Sequence, residues 1–307
     1  MQMIRILNPK NSFGKFSPFY LILPAMIFVF IVVVFPLLFS LYSSFTPYNL
    51  LYPKSLHVFI GFKNYIQLLT NSDFYVGFFR TLIVVALAIN IEFLLGLAAA
   101  LLINKITYNA RLLRTLIMFP MMFSPILVGF LFKFMFNDNV GIINNILESL
   151  GVIKHGIPWL IQSGLALFSI LSAEIWSSTS VFAILLLAGL MSIPKEPIEA
   201  AKIDGCSPLQ SFRYVTLPYL RPFIYIAMCI RSLDIARAYD IVKIMTNGGP
   251  AGRTELLWTM IGKTGFTDSK MGLANSMGYI SIILSVAFTF YFFKKLQSAK
   301  KDMGLVQ

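Results

Sequence analysis

Six runs of about twenty predominantly apolar residues divide the chain, at approximately 19–45, 78–103, 112–136, 165–190, 222–245 and 273–293. A helix needs about 20 such residues to cross a bilayer, and a soluble core cannot absorb six of them. Composition agrees, since 57% of the 307 residues are hydrophobic and 12% charged, against about 25% charged in an ordinary soluble domain. The first run is too long for a signal-peptide core and lacks a small-residue cleavage site, so it is expected to be retained. The alternating ten-residue pattern of an outer-membrane barrel is absent, which leaves helices to satisfy the backbone in lipid. The expected fold is therefore all-α, a polytopic six-helix membrane bundle over 19–293, with an N-terminal segment 1–18 and a basic tail 294–307.

Charge sets the expected orientation. With the N-terminus inside, the inner segments hold fourteen Lys and Arg, and the outer segments with their adjoining span ends hold eight. That excess predicts both termini in the cytoplasm and accounts for the net charge of +12. No basic stripe interleaved with aromatics lies outside the apolar runs, so no nucleic-acid partner is expected. Cys206 and Cys229 carry no metal or redox spacing, and His57 and His155 lie far apart in outer loops. Neither a metal site nor a catalytic cluster can be assembled from them. The chain has no GxxxxGK[ST] loop, and Gly248-Gly249-Pro250 is followed by no Lys-Ser/Thr, so ATP hydrolysis is not expected here.

The long inner loop, Met191 to Arg221, is large enough to fold on its own. Pro194 and Pro197 stop the fourth span and restart a helix, and Glu199, Ala200 and Ala201 continue it. Gly205 breaks that helix, Ser207 can cap a second one with Pro208 at its first position, and Pro218 and Pro222 are expected to end the stretch. Glu199-Ala200-Ala201, Gly205 and Leu217-Pro218, at this spacing, resemble the EAA loop of permease subunits in binding-protein-dependent ABC importers. The Asp204-Gly205 pair resembles the carbohydrate subgroup, of maltose and glycerol-phosphate type. The resemblance extends from about Phe59 to Phe293. It takes in Gly61-Phe62-Lys63-Asn64-Tyr65, Thr81, Gly141-Ile142-Ile143-Asn144, Trp176, Ala188-Gly189-Leu190, Tyr239-Asp240, Thr246 to Pro250, and Thr254. Cys206 and Asn247 depart from the family's usual alanine and glycine.

The resemblance implies a multi-pass subunit of the bacterial cytoplasmic (inner) membrane. It would pair with a second homologous permease, two ATP-binding subunits that hold ATP and Mg, and an extracytoplasmic solute-binding protein. Glu199 to Gly205 would form the coupling helix docked on one ATPase, and Gly248, Gly249 and Pro250 would face the binding protein. An ion-coupled secondary transporter is the alternative, without the inverted repeat such folds often carry.

Charges inside a span are functional candidates, and the fifth run holds Arg231, Asp234, Arg237 and Asp240. Steps of three residues turn about 300° each, so the four drift across half the helix rather than lining one stripe. They can pair internally, Arg231 with Asp234 and Arg237 with Asp240, or line a solute path. In a path, Asp accepts sugar hydroxyls and Arg grips an anion, so an acidic sugar or sugar ester is one expectation. Asn90 and Glu92 in the second span, and Glu174 with Ser177 to Thr179 in the fourth, are further polar candidates, the serines read as packing hydrogen bonds.

Overall fold

The computed structural model describes residues 17–106, 108–235 and 238–302. Its helices are α1 (Ser17–Val29), α2 (Phe35–Ser44), α3 (Lys63–Leu69), α4 (Ser72–Lys105), α5 (Ala110–Met118), α6 (Pro125–Met135), α7 (Ile142–Ser149), α8 (Ser163–Met191), α9 (Lys195–Ile203), α10 (Pro208–Ser211), α11 (Leu217–Ile235), α12 (Asp240–Met245), α13 (Leu257–Gly262) and α14 (Met271–Asp302). No β-strand occurs among the described residues. Four helices, or continuous helical runs, are long and apolar enough to cross a membrane: 22–44, joined through a π turn at Phe30–Val34, α4, α8 and α14.

The other two apolar runs are interrupted. The third bends by 92° between α5, with its 3-10 extension to Met122, and α6. Pro120 and Pro125 flank the bend, and Ser124 caps α6 by accepting a hydrogen bond from the Leu127 amide at 3.3 Å. The fifth is divided between α11 and α12, with Ala238 and Tyr239 outside either helix. Hydropathy measures apolar content, and neither break changes it. Pro218 and Pro222 also depart from expectation, because α11 runs through both. A π turn over Phe212–Thr216 precedes them, and its wider bonding register accommodates a residue without an N–H. At the far end α14 continues to Asp302, so residues 294–302 of the expected tail belong to the last helix.

Between helices in lipid, close packing replaces the hydrophobic drive that operates in water. The interfaces are accordingly built on small residues. Ala88, Ala100, Ala173, Ala183 and Ala227 are buried, and Gly96 of α4 lies against Phe182 of α8. Gly189 of α8 faces Phe223 and Leu220 of α11, where a Cβ would come within 2.7 Å of the Phe223 ring. The outward faces stay apolar and exposed, Phe28, Ile31 and Phe35 among them.

At the end of the bundle opposite α9, polar side chains hold the loops. Asn64 donates to the carbonyls of Ser44 and Thr46 at 2.9 and 2.8 Å, and Thr81 accepts from the Leu257 amide at 2.9 Å. Asn144, 2% exposed, donates to Asp138 O and Ile157 O and accepts from the Trp159 indole at 2.8 Å. Replacing Asn144 by Ala strands these groups, at about 1–3 kcal/mol for a buried polar group left unpaired. We expect a lower melting temperature with red-shifted Trp159 emission, read in a variant retaining only that tryptophan; an unmoved spectrum counts against the role.

Candidate functional site

Where the fifth apolar run breaks, a cavity of about 410 Å³ opens. It is lined by Pro125 from the bend of the third run, Glu174, Ser177 and Ser178 from α8, Arg231 and Asp234 from α11, and Ala238 to Ile241 at the break. The carboxylates and hydroxyls that converge here are acceptors for the hydroxyl groups of a polar solute. Asp240 opens α12. Arg237 lies outside the described residues. Asn90 stands apart from the cavity, exposed on α4 and bonded to the Ala86 carbonyl at 2.7 Å.

Arg231 does not pair with Asp234. Its Nε and Nη2 donate to both oxygens of Glu92 at 2.8 and 2.9 Å, and Nη2 also donates to Glu174 at 2.8 Å. Glu92 is fully buried, and Arg231 is 4% exposed. Internal pairing with a neighbour three residues away was one of the two alternatives, and the carboxylates on α4 and α8 take the guanidinium instead. The two-oxygen grip on Glu92 favours that choice. Glu92 is the central residue that its spacing alone did not single out from Asn90; its full burial beside Arg231 is what separates the two. With Nε and Nη2 so committed, Arg231 is less able to grip an anion than the sequence suggests. Ser177 and Thr179 bond to carbonyls of their own helix rather than across to a neighbouring one.

The loop between α8 and α11 folds as its residues dictate. Pro194 precedes α9, Gly205 adopts φ +77° after it, and Ser207 caps α10 in a reciprocal box with Gln210. Glu199, Ala200, Asp204 and Gly205 are exposed. Ala201 is buried, and Ile198 packs with Ile193 and Leu190 at the bundle's end. Leu217 and Pro218, which begin α11, are half-buried. Ile203, Leu209 and Tyr214 are 86%, 74% and 70% exposed, an apolar surface on a loop that no other described residue covers.

Gly248 is buried at φ +83°, and a Cβ there would run into the Glu255 side chain. Gly249 and Pro250 are half-buried. Thr254 donates to Gly249 O at 2.6 Å and shares a hydroxyl contact with Thr246. Arg80 of α4 donates to the carbonyls of Gly252 and Glu255 at 2.8 and 2.9 Å, fixing the turn to the bundle. The Glu255 carboxylate accepts from Lys263 at 3.0 Å, a hydrogen bond that holds this ammonium above its ordinary range. Among the described residues no group of His, Cys, Asp and Glu could hold a metal ion.

Residues 92–301 match the family described as the inner membrane component of binding-protein-dependent transport systems. A probable ABC transporter permease protein, y4oQ of Sinorhizobium fredii, is 34% identical over 87% of this chain and 85% of its own length. The trehalose/maltose transport system permease protein MalF of Thermococcus litoralis is 29% identical, covering 90% of this chain and 92% of that one. A solved bacterial ABC transporter involved in the import of the acidic polysaccharide alginate contains a chain of the same fold. It superposes with a TM-score of 0.80 at 21% identity, over 92% of this chain and 96% of the other. The chain belongs to the family of binding-protein-dependent transport system inner membrane components.

Proposed function

We propose that this chain is one of two permease subunits of an ATP-driven importer that carries a sugar or sugar derivative across a bacterial inner membrane. The observation that carries this reading is the acceptor-lined cavity at a break in an intramembrane helical run. Interrupted helices place backbone and polar groups at a solute site within an apolar bundle. Glu174, Asp234, Asp240, Ser177 and Tyr239 offer oxygens suited to sugar hydroxyls. Sugar transport by the similar trehalose/maltose permease supports the same solute class. An acidic sugar fits the reading only through groups other than Nε and Nη2 of Arg231.

In this reading both termini are cytoplasmic. Glu199 to Gly205 dock on an ATP-binding subunit, which supplies ATP, Mg and hydrolysis, and the bundle rocks as the ATPases close. A solute-binding protein sits at the opposite end, over Gly248 to Pro250. Co-expression with the genomic neighbours tests the assembly: a second permease and an ATP-binding subunit at twofold ratio should copurify. ATP hydrolysis should rise when loaded binding protein is added. A chain that purifies alone and stimulates nothing would sink the proposal.

Gly205 tests the loop separately. A Cβ there meets nothing within 4 Å, so substitution strains only the backbone. Gly205→Val forces a β-branched residue to φ +77°, at about 1–2 kcal/mol, which lowers the docked loop shape by roughly 5–30-fold. Stimulated hydrolysis should fall by that factor while chain yield and melting temperature stay near wild type.

A further inference from the structure

The loop 192–216 is held by two antiparallel helices, α8 entering it and α11 leaving it. They touch twice. Near the loop, Gly189 packs on Phe223 and Leu220. Farther along, Glu174 accepts from Arg231 at 2.8 Å. The contacts on α8 are separated by Gly189 to Glu174, roughly 22 Å of helix, and two such ties prevent the pair from splaying or twisting independently.

The second tie depends on a residue outside the cavity. Glu92 takes both Nε and Nη2 of Arg231 from α4, whereas only Glu174 and Arg231 reach the cavity wall. An arginine held by Glu174 alone would be free to swing about a single bonded nitrogen. The grip of Glu92 on two nitrogens fixes the plane of the fork. It thereby fixes where Glu174 presents its carboxylate.

We propose that Glu92 is a positioning residue of the solute pocket. It touches no solute; it holds Arg231, and through Arg231 it holds Glu174, so that pocket shape and the α8–α11 pair that carries the loop change together. This rests on the permease reading above. It assigns to Glu92 the link between an occupied pocket and the movement of the loop.

The test uses the full complex with its copurifying partners in liposomes, with hydrolysis measured against increasing solute-loaded binding protein. Glu92→Gln keeps the volume but loses the charged two-point grip. Its maximal stimulated rate should fall about tenfold, with unchanged basal hydrolysis and an unchanged half-saturating concentration of binding protein. Glu174→Gln should lose a similar factor. A double variant of Glu92→Asp with Glu174→Gln, which leaves the buried Arg231 one carboxylate partner, should be no worse than Glu174→Gln alone, because both act along one path. If Glu92→Gln does not assemble, Glu92→Asp retains the charge and withdraws the carboxylate by one methylene. That variant should assemble at wild-type yield with a severalfold lower stimulated rate. Wild-type rates in either Glu92 variant, or losses that multiply in the double variant, overturn the proposal. A wild-type complex that no loaded binding protein stimulates overturns the permease reading instead.

Discussion

Replacing Arg231 by methionine should destabilise the chain more than any other single change at its polar centre. Among the described residues the guanidinium is the one positive charge bonded to both Glu92, which is fully buried, and Glu174, whose side chain is 13% exposed. Without it two carboxylates stand uncompensated inside an apolar bundle, and breaking a buried pair in this way costs about 3–5 kcal/mol. The expected result is a collapse in the yield of detergent-extracted chain and a lower melting temperature in whatever is recovered. The same physics predicts a rescue. Glu92→Gln, Arg231→Met and Glu174→Gln combined leave no unpaired charge, and neutral replacement of a whole buried ion cluster is often tolerated. The triple variant should recover most of the thermal stability while solute-stimulated hydrolysis stays lost. A single Arg231→Met variant that melts like wild type would show that the guanidinium neutralises nothing of consequence.

Gly96→Val should have the second largest effect, and it acts through packing. A Cβ at Gly96 would press on the Phe182 Cβ and lie 3.0 Å from the Ala183 amide nitrogen and 3.2 Å from the Phe182 carbonyl carbon. Those neighbours are helix backbone and the root of a side chain, so none can swing aside. Overpacking of this kind costs about 1–3 kcal/mol and sometimes more, and here α4 must move off α8. The displacement carries Glu92 away from Arg231, only one helical turn along the same face. Stability and stimulated hydrolysis should therefore fall together. Gly164→Ala, whose Cβ meets nothing within 4 Å, serves as the control and should change neither. A Gly96→Val protein with wild-type melting and activity would mean that the α4–α8 contact has more slack than its distances allow.

Much of this was legible beforehand. The apolar runs located α1 with α2, α4, α8 and α14, because the length of hydrocarbon to be crossed is a constraint on composition alone. Pro194, Gly205, Ser207 and Pro208 located α9 and α10, because each acts on the backbone within a turn of itself. Thr81, Asn64, Asn144 and Thr254 belonged to stretches that carried the family resemblance. Their bonds in the folded chain give the reason for those residue types: Thr81, Asn64 and Asn144 tie loops to backbone groups in other segments, and Thr254 closes its own turn on the Gly249 carbonyl.

The breaks in the third and fifth runs were not legible, because apolar content is the same on either side of a break, and it is the packing of α8 and α12 against the bent third run that marks it. Nor was the partner of Arg231. Within the fifth run Asp234 is its nearest acid in sequence, whereas Glu174 and Glu92 lie 57 and 139 residues away. Sequence by itself determined that this chain lies in a bilayer, and where its helix–glycine–helix loop interrupts it. Solvent preference and backbone stiffness are properties of short segments. Only the tertiary structure decided which carboxylates share the guanidinium and therefore where the polar cavity forms, because that choice belongs to the packing of α4, α8 and α11 together.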